Sequence, residues 1–229
     1  MMTKKKDIYS SICLPLLFIA AILFTFTACG DDDDDDEVDA YEEEASGGSI
    51  NGYSYVDLGL SVVWATCNVG ADSPEDYGDY YAWGETSTKS SYTEDNSETF
   101  GEDFISDVGG ESDYDAATAL WGSTWRMPSD EELEELVDDC TWTWTELNGT
   151  EGFNVTASNG NSIFLPAGGW YDESSLEYEG ERCYYWTSTP LWVYAYYAYG
   201  LYADEEGIEV GVTSRYVGQL IRPVSEDPD

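Results

Sequence analysis

The sequence predicts a single α+β domain in which two helices pack on antiparallel sheets. Three observations carry the prediction. Residues 53–67 and 183–224 are dense in Val, Ile, Tyr, Trp and Thr and are cut by glycine into short runs, the mark of strands. Two helical patterns stand between these regions, and no tandem repeat divides the chain. Strands, then helices, then a further set of strands is the order of an α+β domain.

In chain order, Tyr53 to Leu58 and Leu60 to Cys67 read as two strands separated by a tight reversal at Gly59. Residues 74–85 are turn-rich and aromatic, and residues 86–110 are polar with three glycines, which predicts a long surface loop. Asp113 to Trp121 forms a short helix, built on Ala116, Ala117, Ala119 and Leu120 and stopped by Gly122. The second helix starts at Ser129, whose hydroxyl can accept the Glu132 N–H while the Glu132 carboxylate reaches back, a capping box. Asp130 and Glu131 add negative charge at the positive end of that helix. Leu133, Leu136, Val137 and Cys140 then recur on one stripe, which predicts burial against a sheet. Just before the cap, Arg126 stands between apolar Trp125 and Met127, where a cation calls for a carboxylate partner.

Thr141 to Leu147 alternates Trp with Thr, as a half-buried strand does. Gly152 to Ser158 and Asn161 to Leu165 flank Asn159-Gly160, a strong hairpin signal. Pro166 ends that strand, and an acidic loop follows to Glu181. Cys183 to Thr189, Trp192 to Tyr202, Gly207 to Thr213 and Gly218 to Val224 complete the strands.

Lys4, Lys5 and Lys6 precede an apolar run from Ile12 to Phe26, the pattern of a cleavable leader and too short for a membrane span. Phe26-Thr27-Ala28-Cys29 resembles a bacterial lipobox, which implies lipidation of Cys29 and membrane attachment through the lipid. Six aspartates from Asp31 to Asp36 begin a self-repelling acidic block that predicts a solvated tether. An acidic run at this place resembles the signal that carries lipoproteins to the outer face of Bacteroidetes-type cells. The expected organisation is therefore a leader at 1–28, a tether at 29–51 and a domain at 52–225, located at the outer membrane and facing outward.

Without residues 1–28, five cations and 47 acids remain, and the formal charge moves from −40 to −42. A field of that sign excludes nucleic acid as a partner. With no histidine in the chain, Ser-His-Asp and Cys-His hydrolysis and His-ligated zinc chemistry are excluded too. Cys67, Cys140 and Cys183 allow at most one internal disulfide. Spacing ranks none of the three pairings; Cys67 with Cys140, leaving Cys183 free, is the expectation.

Four stretches together resemble the Fibrobacter succinogenes major paralogous domain. They are Tyr55 to Gly70 (YVDLGLSVVWATCNVG), Trp121 to Ser129 (WGSTWRMPS), Tyr185 to Thr189 (YWTST), and Arg215 with Gly218 to Val224 (GQLIRPV). The resemblance spans about residues 53–224 and implies a fold similar to C-type lectins and to formylglycine-generating sulfatase-modifying enzymes. The lectins' calcium motifs and the enzymes' cysteine pair are absent here, so the scaffold is implied without those sites.

The functional expectation is a non-catalytic, lipid-anchored surface module that binds an extracellular glycan or protein. Tyr80, Trp83, Trp170 and Trp192 each border a loop and are the candidate ligand-binding aromatics. A two-carboxylate glycoside hydrolase is the alternative, since that chemistry needs only an acid and a base of the Asp or Glu type. A structural or adhesive surface role is a further one. No cofactor is expected. The acidic loops at 72–79 and 103–115 raise calcium, but neither has the EF-hand spacing.

Overall fold

The computed structural model describes residues 47–102 and 105–226. Cys29, the leader at 1–28, the acidic run and most of the tether lie outside the described residues. The first strand, β1 (Gly47–Ile50), pairs antiparallel with β2 (Tyr53–Val56), so residues 47–50, expected as tether, take part in a sheet. The turn between them is Asn51-Gly52, with φ of 52° and 87°. Positive φ at both positions defines the hairpin turn that Asn-Gly favours, and here that dipeptide outweighs the flexible look of Gly47-Gly48.

Strand β3 (Val63–Ala65) is shorter than expected, because Leu58 to Val62 run as bends rather than as a continuation. Among the described residues from Thr66 to Asp115 there is no strand and one 3-10 turn, at Glu94–Asn96. Helix α1 (Ala116–Trp121) is capped by Asp115 and ends at Gly122, whose N–H bonds the Thr118 carbonyl. Helix α2 (Asp130–Asp139) carries the complete capping box. Then come β4 (Thr141–Leu147), β5 (Thr150–Thr156), β6 (Ser162–Pro166) and a small hairpin, β7 (Trp170–Asp172) with β8 (Ser175–Glu177), inside the expected acidic loop. The last strands are β9 (Cys183–Pro190), β10 (Tyr197–Asp204), β11 (Gly207–Ser214) and β12 (Val224–Ser225). The sheets, in the orders β1-β2-β3-β12, β4-β5-β6, β7-β8 and β9-β10-β11, are all antiparallel. The α+β class is therefore as the sequence predicts.

Leu133 and Leu136 are buried, and α2 lies on the β9–β11 sheet within a core that also holds Phe153, Val155, Leu165 and Leu201. A second core gathers Trp83, Trp121, Trp125 and Trp186 behind α1. Trp142 and Trp144 meet the Phe153 ring edge-on, at 5.4 and 5.0 Å, while Thr141, Thr143 and Thr145 face solvent. The three described cysteines, Cys67, Cys140 and Cys183, are free thiols, so the expected Cys67–Cys140 bridge is not made. Cys140 ends α2 at the edge of the first core, whereas Cys67 follows β3 beside Thr66.

The four stretches quoted above are hydrogen-bonded to one another. Trp186 N–H donates to the Leu220 carbonyl at 2.9 Å, Ser188 N–H to Pro128 at 2.8 Å and Val69 N–H to Ile221 at 3.0 Å. Arg126 and Val224 exchange both backbone bonds, and Val224 also pairs with Trp64.

Arg126 has the expected carboxylate partner. Its two Nη atoms meet the two Glu132 oxygens at 2.7 and 2.6 Å, so the capping glutamate is also one half of a bidentate ion pair. Burial pushes the Glu132 carboxyl up, but the bonds from Arg126 and Ser129 outweigh it and hold the group below the usual range. A depressed carboxyl contributes stability above its unfolded-state pKa, near 4.3, and that stability is lost as pH falls through the folded value. Glu132→Gln should therefore cost about 1–2 kcal/mol at neutral pH. In thermal unfolding across pH, the variant and the parent should differ above about pH 5 and converge in acid.

Candidate functional site

The four predicted aromatics do not come together. Trp83 is fully buried, with Nε1 donating to the Thr187 carbonyl at 2.9 Å and the Arg215 guanidinium stacked 4.4 Å from its ring. Tyr80 donates its hydroxyl to the Gly168 carbonyl at 2.5 Å and meets Tyr171 edge-on. Trp170 stacks on Tyr184 at 5.4 Å, half-buried. These three are packing residues, because each loop folds its aromatic back onto the body. Trp192 alone of the four is open, at 69% exposure.

Trp192 belongs to the turn Leu191 to Tyr196, which joins β9 to β10 where the sequence suggested strand. Pairing between β9 and β10 begins only at Pro190↔Ala198, so the residues between them close on themselves. Leu191 N–H bonds the Tyr197 carbonyl, and Tyr194 N–H bonds the Leu191 carbonyl, each at 3.0 Å. Trp192, Val193, Tyr194 and Tyr196 are all exposed on this turn, the largest apolar side chains so grouped among the described residues.

A buried cation seats the turn. Arg215 donates from Nε to the Tyr197 carbonyl at 3.1 Å and from Nη1 to the Thr99 and Glu102 carbonyls at 3.2 and 3.3 Å. It thereby ties the turn to the loop at 97–102, which adds Gly101 N–H to the Ala195 carbonyl at 3.0 Å. Gly101 sits at φ 81°, and a Cβ there would stand 3.1 Å from the Tyr196 ring, so glycine is required for this close approach. Phe100 completes the seat with edge contacts to Tyr196 and Tyr216. Burial pulls the Arg215 guanidinium down from its ordinary value, though it stays cationic.

Two depressions adjoin this turn and share Glu102 and Ile105. One, of about 400 Å³, is lined by Pro190, Leu191, Trp192, Val193 and Ala195, with Arg215 behind. The other, of about 490 Å³, carries four carboxylates, Glu98, Glu102, Asp107 and Glu111, with Tyr114 at its edge. Sequence reasoning missed this arrangement, apart from Trp192. Pro190 directly before an aromatic run was the available signal, since Pro breaks a ladder.

The cations of the domain are all committed elsewhere. Lys89 pairs with Glu85 at 2.5 Å, Arg126 with Glu132, and Arg182 with Asp204 at 3.4 Å while stacking over Tyr178. Arg222 is enclosed by the Asn68 side-chain oxygen and the Ala65, Thr66 and Phe164 carbonyls. No described Lys or Arg is therefore free to meet an anionic ligand at the surface.

The buried carboxylate Asp115 is occupied by structure. It accepts from Gly110, Ala117, Thr118 and Met127 N–H groups and from the Thr118 hydroxyl. Burial pushes its carboxyl up, and these donors draw it partly back. Among the described residues no three thiol or carboxylate side chains converge as a metal site, and no helix is long and apolar enough to cross a membrane. Comparison of the chain with protein-family models, with curated proteins and with solved structures gives no match.

Proposed function

We propose that this chain is a non-catalytic surface module of the Fibrobacter succinogenes major paralogous type. In this reading it is built on a C-type-lectin-like scaffold, held at the outer membrane by a lipid on Cys29, and it binds an extracellular ligand, a glycan or a protein. The observation that carries the binding function is the turn at 191–196. It presents Trp192, Val193 and Tyr194 at 69, 74 and 60% exposure, on a seat rigidified by Arg215 and Gly101. A cluster of open apolar side chains on a charged surface marks an interaction site. The interlocking of the four family-like stretches supports the scaffold assignment, because they form the shared hydrogen-bonded centre of the domain. The buried carboxylates are each engaged in the fold, Asp115 as a helix cap, Glu85 by Lys89 and the Glu98 N–H, and Asp204 by the Glu206 and Gly207 N–H groups, which supports binding rather than hydrolysis.

A protein ligand fits the turn better than a sugar. The depression beside Trp192 is walled mainly by apolar side chains, with Glu102 the one carboxylate on it, and its one cation has its donors turned inward to carbonyls. Sugar hydroxyls need several polar partners, and this wall offers them a single carboxylate. In binding assays of the full chain against extracellular proteins and a glycan panel, Trp192→Ala/Tyr194→Ala should weaken ligand binding by about 30-fold. The melting temperature should move by no more than about 2 °C, since both side chains face solvent. Undiminished binding by the double variant would refute the site.

A further inference from the structure

We infer that the two adjoining depressions together read a polypeptide segment in which a basic side chain neighbours an apolar one. This rests on the binding function proposed above and names its partner class. The apolar depression offers Leu191, Trp192, Val193 and Ala195 as walls for an aliphatic or aromatic side chain, the form of a buried interface anchor. The acidic depression shares its wall at Glu102 and Ile105 and supplies Glu98 and Glu111 to a cation, beside Asp107, which also accepts the Gly109 N–H and the Thr189 hydroxyl. Tyr114, 42% exposed at its edge, offers a ring face to a guanidinium or ammonium.

Charge complementarity selects the basic class. The formal charge is −40, and each of the five cations after residue 28 is engaged inside the domain, so an acidic segment would meet repulsion with no free cation to offset it. A purely basic segment gains from the same field but leaves Trp192 and Val193 in water. The adjacency of the two depressions thus sets the recognised pattern: one apolar residue, with Lys or Arg next to it or one place away.

Panning a displayed random-peptide library against the full chain tests this, with Trp192→Ala/Val193→Ser as the counter-selection target. Enriched peptides should carry the basic and apolar pair. Synthesised singly, they should lose about tenfold in affinity towards Trp192→Ala/Val193→Ser and about as much towards Glu102→Gln/Asp107→Asn. Raising ionic strength should weaken them further against the parent than against the carboxylate variant. Enriched peptides that lack a basic residue, or that bind the variants as well as the parent, overturn the inference. So does a selection that enriches nothing over the counter-selection. In that case a glycan panel run on the same two chains separates the failures. Sugar binding lost with Trp192 keeps the turn as a binding site and removes only the peptide; binding of neither removes both.

Discussion

Arg222→Met should lower the free energy of unfolding by about 4 kcal/mol, a large part of the 5–15 kcal/mol typical of a domain. Arg222 is 1% exposed and forms no ion pair with a carboxylate among the described residues; its charge is met by Asn68 Oδ1 at 2.8 Å and by the carbonyls of Ala65, Thr66 and Phe164 at 3.1, 3.0 and 2.9 Å. Such charge-assisted bonds are worth about 1.5–3 kcal/mol each. Desolvating one guanidinium takes back several kcal/mol, which leaves a net of the size stated. Methionine fills much of the volume and donates nothing, so the residue that binds the β3 end to β6 and to the C-terminal stretch loses all four bonds. Arg222→Lys should recover only part, because an ammonium cannot reproduce the planar fork. Urea titration should show a lower midpoint with an unchanged slope. A loss below about 1 kcal/mol would mean that the four acceptors find other donors.

Asp115→Ala should cost about as much, by a different route. The cap alone is worth about 1–2 kcal/mol, but Asp115 also accepts the N–H groups of Gly110 and Met127, at 3.0 and 2.9 Å. It therefore fastens the end of the long loop and the start of the Trp125-Arg126-Met127 stretch to α1. Removing the side chain leaves the buried N–H groups of Ala117, Thr118 and Met127 without their acceptor, at about 1–3 kcal/mol each before water enters, while the exposed Gly110 N–H can turn to solvent. Urea unfolding should put the total near 4 kcal/mol, with Asp115→Asn intermediate, since one oxygen remains. Because burial raises the Asp115 carboxyl, its ionisation works against the fold: stability falls as pH rises through that group's folded value. This is opposite in sign to Glu132, and Asp115→Asn should remove that component of the pH profile.

The parts of the fold that could be read from sequence are those decided locally. Ser129 and Glu132 are three residues apart and cap α2 whatever surrounds them, and the Leu133 and Leu136 stripe follows from helical period alone. Asn-Gly dipeptides were readable too but were weighted unevenly. Asn51-Gly52 and Asn148-Gly149 make the two-residue turns with positive φ, whereas Asn159-Gly160 lies in a longer loop between β5 and β6. The site was less legible because its geometry depends on long-range contacts. An aromatic beside a loop in sequence is open or packed according to where the loop returns: Tyr80 and Trp83 bond carbonyls 88 and 104 residues along the chain, and Trp170 stacks on Tyr184 across the β7–β8 hairpin. The Arg215 carbonyl bonds span 116 residues to Thr99 and 113 to Glu102, which no local pattern announces.

The central claim is that the exposed turn at 191–196 meets the ligand while the other aromatics build the scaffold. The most direct measurement places a photo-reactive amino acid at Val193, and in a separate chain at exposed Glu134 on α2, in cells that make the protein. A discrete crosslinked partner is expected from position 193, lost when Trp192 is also changed to alanine, and none from position 134. Equal crosslinking from both positions, or a partner captured only at 134, would contradict it.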